Sequence, residues 1–329
     1  MKEASLYTRS GDRVRCLLCW RTCEIGHGER GFCGVRLNLE GRLYTLTYGN
    51  LSAIESRPME VKPFFHFKPG RSVLTFSTYS CNLECPWCQN WHISKRSPPS
   101  RFREISPERL IEMVDRDIGL CASFNEPTLL FEFLLDAFPL AKERGLVNTM
   151  VSNGYMTIRA LRELGRVGLD AINIDIKGDE EVYERFCGGR ARFVWATASE
   201  ALRLGIHLEM VNLLVTGVSD REESIRDVVE NHLRHLGPEV PLHFTRYFSA
   251  YKFEARPTSL EVLNRAVEIA RREGLKYVYV GNVPGHRNEN TFCPRCGALL
   301  IRRRSWVVLE NRISEGKCPE CGEEIYGVW

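Results

Sequence analysis

Between residues 72 and 283 short apolar runs alternate with amphipathic stretches at intervals of roughly 25 to 35 residues, the rhythm of repeated βα units and a parallel sheet. The apolar runs that read as strands are SVLTFS, LCASF, NTMVSN, AINIDIK, HLEMVNLLV, LHFTRYF and KYVYVGNV. The stretches between them carry helix signals. In RPTSLEVLNRAVEIARREG, Thr258 and Glu261 are placed as a capping box, Leu260, Leu263, Val267 and Ala270 recur at helical spacing, and Gly274 terminates. Ser106 followed by Pro107 opens another helix.

Side-chain alternation within AINIDIKG chooses between architectures. Ile172, Ile174 and Ile176 share one face of the strand, and Asn173, Asp175 and Lys177 share the other. A parallel strand buried on both faces reads apolar throughout, so a polar row points to an open barrel interior that holds a polar ligand. His243 and Thr245 repeat the signal in LHFTRYF. The expected fold is α/β: an incomplete barrel of the (β/α)6 TIM type with six or seven strands, over residues 71–288. Residues 1–70 form a cysteine-rich β segment in which LNLEGRLYTLTYGNLSAIE reads as a meander with a Gly turn. Residues 289–329 form a separate four-cysteine module of zinc-ribbon type.

Charge changes this picture little. The formal net charge is +3 from 45 basic and 42 acidic residues, too balanced to call for a polyanion. Residues 1–70 carry eleven Lys/Arg against seven Asp/Glu, which reads as solvated surface or a docking face for an acidic substrate or partner. Arg302, Arg303 and Arg304 are nearly balanced by nearby acids and are read as solvated surface, without a nucleic-acid partner. The opening residues show no apolar signal segment and no run is long enough to span a bilayer, so no membrane association and a cytoplasmic location are expected.

Cysteine changes the picture most. Thirteen cysteines in such a chain point to metal rather than disulfides. Cys293, Cys296, Cys318 and Cys321 form two CPxCG knuckles with twenty-one residues between them, the pattern of a tetrahedral four-thiolate site for zinc or, second, a single rubredoxin-like iron. Cys16, Cys19, Cys23 and Cys33 fit either zinc or a second iron–sulfur cluster, with His27 as a substitute ligand. Cys81, Cys85 and Cys88 have no adjacent fourth. Three thiolates can hold a [4Fe-4S] cluster with one iron left open, which makes the site a reagent rather than a structural clamp. Trp87 lies inside the loop, where its ring could stack on a nucleobase. Cys121 and Cys187 stand alone and read as buried packing, with a radical relay as the rival role.

Cys81-x3-Cys85-x-Trp87-Cys88 after a first barrel strand resembles the radical SAM superfamily motif. That resemblance implies a [4Fe-4S] cluster, S-adenosyl-L-methionine as cofactor, and reductive cleavage to a 5'-deoxyadenosyl radical that abstracts hydrogen from a substrate. SFNEPT is similar to the superfamily's Gly-Gly-Glu-Pro segment, with Glu126 and Pro127 matching and Asn125 in place of a glycine. Ser152 and Asn153 of SNG, with Asp175 and Lys177 of DIK, resemble strand-end segments of the glycyl-radical-enzyme activases that hold the same ligand. The order of these motifs with CGVR, RYF and the C-terminal GVW resembles the AmmeMemoRadiSam system radical SAM enzymes, and the barrel resembles pyruvate formate-lyase activating enzymes. Implied partners are a reductant, a substrate that could be a protein, and Memo-like and AMMECR-like proteins. His243, Arg246 and Tyr251 are candidates for substrate contact. The rival reading is a non-catalytic multi-metal protein, either an electron carrier or a zinc or iron–sulfur scaffold that binds nucleic acid, colourless if all three clusters hold zinc.

Overall fold

The computed structural model describes residues 1–329 and is built on a single eight-stranded sheet. Its strands are β1 (Ala53–Pro58), β2 (Ser72–Ser77), β3 (Gly119–Ala122), β4 (Val147–Ser152), β5 (Ala171–Ile176), β6 (His207–Leu214), β7 (Leu242–Arg246) and β8 (Val278–Gly281). They lie in sequence order across the sheet. From β2 to β8 every neighbouring pair is parallel, whereas β1 pairs antiparallel with β2. β1 and β8 do not pair, so the barrel stays open. All seven expected strands are present. The addition is β1, whose sequence AIESRP alternates charge with apolar residues and was expected to belong to the N-terminal meander. Only Arg36–Leu39 and Arg42–Thr45 form that hairpin, turning through Gly41 at φ 77°.

The helices that cover the outer face are α1 (Pro107–Glu112), α2 (Phe131–Glu143), α3 (Ile158–Arg166), α4 (Ala191–Arg203), α5 (Glu222–Leu236) and α6 (Leu260–Arg272). Ser106 caps α1 as expected, accepting from the Arg109 amide with Pro107 at the first turn. For α6 the cap is Ser259 rather than Thr258, because the Thr258 hydroxyl is committed elsewhere. It donates to the Leu214 carbonyl at 2.5 Å and accepts from the Tyr247 amide at 2.9 Å, tying the ends of β6 and β7 together. No helix is long and apolar enough to cross a membrane.

The two outer segments are anchored through buried polar contacts. Arg36 in the N-terminal segment is fully buried and donates to Glu132 of α2 at 2.8 Å. The C-terminal sheet (Thr291–Phe292, Leu299–Arg304, Val307–Asn311) has its own small core of Phe65, Tyr277, Tyr279, Leu300, Ile301 and Ile325. Arg303, expected in solvent, is buried there and donates to the Phe65 carbonyl at 2.7 Å. His66 joins this unit to the barrel. Its Nδ1 donates to the Tyr326 carbonyl and its Nε2 accepts from the Tyr279 hydroxyl, both at 2.5 Å. Burial pulls the His66 pKa down to about 3, so the ring is neutral.

Candidate active site at the strand C-termini

The loops that follow β2, β3, β4 and β5 converge on a cavity of about 430 Å³. This is the end of a βα barrel that carries chemistry, because the loops there vary without disturbing the sheet. Cys81, Cys85, Cys88, Trp87, Asn125, Glu126, Ser152, Asn153, Asp175 and Lys177 all line it. Ten residues singled out from four separate stretches of sequence therefore meet around one space.

The cysteine loop is held from both sides. Its approach bends through Ser80 at φ 72°, and Asn125 fixes that bend by accepting from the Thr78 amide and donating to the Ser80 carbonyl. Phe124 takes φ 69° in the segment where the resemblance expects glycine. A non-glycine residue there costs about 1–3 kcal/mol and persists only when neighbours impose it. Asn90, two residues beyond Cys88, imposes it by donating to the Phe124 carbonyl at 2.5 Å. The lost glycines are thus compensated by two asparagines.

Each thiol has a different setting. Burial, and then Glu126, push the Cys81 thiol up to about 12. The Leu83 amide at 3.4 Å and Asn153 Nδ2 at 3.6 Å point donors at its sulfur. Cys85 is pulled down to about 7, chiefly through its hydrogen bond with the Cys187 thiol at 3.4 Å, with Lys177 nearby. Cys88 lies 3.1 Å from the Ser94 hydroxyl. Cys187 therefore abuts the site, while Cys121 packs with Met59, Phe64 and Val73 in a separate apolar cluster.

The polar wall divides into groups already committed and groups left open. Glu126 accepts from Thr128 N and Oγ1, Ser152 Oγ and Asn153 N, at 2.5 to 2.9 Å, so it binds the end of β3 to the end of β4. Asp175 and Lys177 pair at 2.8 Å and keep exposure toward the cavity. Trp87 is wedged by Phe186 and Phe253, each 5.7 Å away between ring centroids. Lys62, not foreseen from the sequence, also lines the cavity, with its ammonium 3.8 Å over the Phe124 ring. Burial lowers its pKa. Only its place in VKPF, within the segment assigned to the N-terminal unit, kept it out of view.

A second cavity of about 480 Å³ shares Val61, Pro63, Gln89, Thr245 and Asn282 with the first and reaches Trp306 of the C-terminal sheet. His243 lines this second space, although it is buried and its Nε2 donates to Glu209 at 2.7 Å. Glu209 sits in a dense donor set, receiving the Phe65 and His66 amides as well. Arg246 and Tyr251 line neither cavity. Arg246 donates to the Thr258 carbonyl and Tyr251 stacks on Trp91.

The three cysteine sets differ in geometry. Cys293, Cys296, Cys318 and Cys321 bring all their sulfurs within 4.8 Å of one another, with Cys293–Cys321 at 3.6 Å and Cys296–Cys318 at 3.7 Å. A tetrahedral ion with sulfur at ~2.3 Å requires sulfurs ~3.8 Å apart, so this set fits one ion. No other three Cys, His, Asp or Glu side chains come so close. The central thiols stand further apart, as the corners of a polynuclear cluster demand. Cys16, Cys19, Cys23 and Cys33 surround a tight space of their own. His27 is not among its walls and accepts from the Glu40 amide instead.

Residues 75–230 match the family described as the Radical SAM superfamily. An uncharacterized protein of Methanocaldococcus jannaschii is 40% identical over 332 residues, 99% of each chain. Among solved structures, a radical SAM methyltransferase from Sphaerobacter thermophilus aligns with TM-score 0.52 and 14% identity over 71% of each chain. SuiB of Streptococcus suis bound to S-adenosylmethionine aligns with TM-score 0.51 and 14% identity over 68% of this chain and 55% of that one. At such identities the two structures share the fold.

Proposed function

We propose, from the match of residues 75–230 to the Radical SAM superfamily, that the cavity at the strand ends binds S-adenosylmethionine beside a [4Fe-4S] cluster held by Cys81, Cys85 and Cys88. Cys81, Cys85 and Cys88 would hold such a cluster, which would supply, once reduced, the electron for cleavage of the bound sulfonium. The chain's own residues bind, orient and enclose. Lys62 and Lys177 bring positive charge to a cavity that must accept thiolates and a carboxylate. Asp175 offers the opposite sign for an ammonium or ribose hydroxyls. Trp87 offers an indole already fixed by Phe186 and Phe253. Glu126 holds Ser152 and Asn153 in place, and its Oε2, which accepts only from the Asn153 amide, keeps acceptor capacity at the cavity wall. The substrate approaches through the second cavity, between the barrel and the C-terminal sheet.

The observation that carries this reading is the three-thiolate set, more widely spread than a single-ion site, on the rim of a polar cavity at the barrel's C-terminal end. The four C-terminal cysteines we assign to structural zinc. Resemblance to the AmmeMemoRadiSam enzymes supplies Memo-like and AMMECR-like proteins as candidate partners, to be tested by copurification. The direct test of the cavity is the electron paramagnetic resonance spectrum of the dithionite-reduced, reconstituted protein before and after S-adenosylmethionine. The expected result is a shift in g values that is lost in the Cys85→Ala protein. An unchanged spectrum would favour an electron carrier.

A further inference from the structure

We infer that Cys16, Cys19, Cys23 and Cys33 hold a polynuclear iron–sulfur cluster, not zinc, and that this second cluster shares a wall with the site at Cys81. Four thiols converge on one tight space, lined also by Leu18, Ile25, Leu129, Arg21, Arg36 and Asn82. No three of their sulfurs lie within 4.8 Å of one another. The same chain closes its C-terminal cysteines to 3.6 and 3.7 Å, so it builds a single-ion site where one belongs. Thiolates on separate irons stand further apart than those around a single ion, and this set shares with the central one that no three sulfurs close to 4.8 Å.

Two further features show a built anionic site. Arg36 is 1% exposed, and although Nη1 bonds Glu132, its Nε and Nη2 have no partner. Asn82, on the same wall, keeps Nδ2 buried without an acceptor, while its Oδ1 accepts from Asn153 Nδ2. Only about 10 Å³ among these groups admits water, at most one molecule, so solvent does not satisfy the unpaired donors. Unpaired buried donors are costly, and an anionic inorganic group among four thiolates would satisfy them.

The wall shared with the central loop is one residue thick on each side of Cys81. Ser80 donates through Oγ to the Cys33 carbonyl at 2.5 Å, and Arg21 donates through Nε to the Asn82 carbonyl at 2.6 Å. Both clamps run from the N-terminal cysteine segment to the two neighbours of a central ligand. An electron delivered to one site therefore lies one residue from the other.

The test begins with a chain in which the central site is removed, Cys81→Ala, Cys85→Ala and Cys88→Ala together, because its N-terminal cysteines stay native. The assignment of a second cluster does not depend on the central one, and only the shared wall rests on the proposed function. After anaerobic reconstitution this variant is expected to retain between about two and about four irons with matching sulfide per chain. Zinc in their place, beyond the one ion of the C-terminal module, overturns the assignment. A Cys16→Ser, Cys33→Ser chain, checked for folding by circular dichroism, is expected to lose that iron and keep the central complement. In the reduced native protein the paramagnetic spectrum is expected to be broadened beyond the sum of the two variants' spectra. Spectra that simply add overturn the shared wall.

Discussion

The C-terminal knuckles and the central cysteine loop use the same ligand atom to opposite ends. At Cys293, Cys296, Cys318 and Cys321 four sulfurs close on one point at the edge of a small sheet, close enough for a single ion to take all four. At Cys81, Cys85 and Cys88 three sulfurs spread along the rim of a 430 Å³ polar cavity, and the loop that carries them is positioned by asparagines rather than by the ligands themselves. A saturated site stabilises and a site short of one ligand reacts. Ligand count and what lies next to the ligands separate the two roles.

The largest expected break between the regions comes from removing one ligand from each. Cys85→Ala is expected to lower 5'-deoxyadenosine formation by at least ~100-fold, since losing even an outer-shell partner of a metal site costs ~10–100-fold. Loss of less than ~10-fold would contradict a cluster at that position. Cys318→Ser is expected to do the reverse. It should release the C-terminal ion and lower Tm by roughly 5 °C, while the central iron content is kept, because the ion's binding energy is folding energy for its sheet. Calorimetry and metal analysis on the same sample check both halves.

Within the cavity the effects are smaller. Lys177→Met removes a cation that faces both Asp175 and Cys85, and is expected to weaken S-adenosylmethionine binding by about 10-fold, the worth of one charge-assisted contact. Isothermal titration of the reconstituted protein measures it, and unchanged affinity would move the carboxylate contact to Lys62.

The smallest effect is one of pH and belongs to the frame that joins the regions. Burial lowers His66 to about 3 and His232 to about 4. The unfolded chain therefore binds more protons below its ordinary histidine pKa of ~6.5, and stability falls as pH drops through that value toward the folded ones. Between pH 7 and 6 each histidine is expected to remove about 0.7 kcal/mol, read as a shift in urea midpoint. His66→Asn should flatten its share.

The strand pattern was legible because each βα strand is an apolar run between turn residues, and burial on both faces leaves no competing period. β1 was not, because an edge strand with Glu55 and Arg57 on it resembles the charged hairpin that precedes it. The α6 cap was misplaced by one residue between two adjacent hydroxyls, and only the long-range bond from Thr258 to Leu214 decides the matter. At the site, the row Asn173, Asp175, Lys177 announced the interior. The same alternation could have set Arg246 aside, since it follows Thr245 on the opposite face of β7. Lys62 and Cys187 carried no local signal. Lys62 reaches the cavity, and Cys187 reaches Cys85 behind its wall, through tertiary packing from segments that look unrelated to it.

The most direct test of the central claim is the yield of 5'-deoxyadenosine from anaerobically reconstituted protein supplied with dithionite and S-adenosylmethionine. The native chain and Cys318→Ser are expected to form it, and the Cys81→Ala, Cys85→Ala and Cys88→Ala proteins are not. No product from the native chain, with zinc rather than iron at the central loop, would contradict the account.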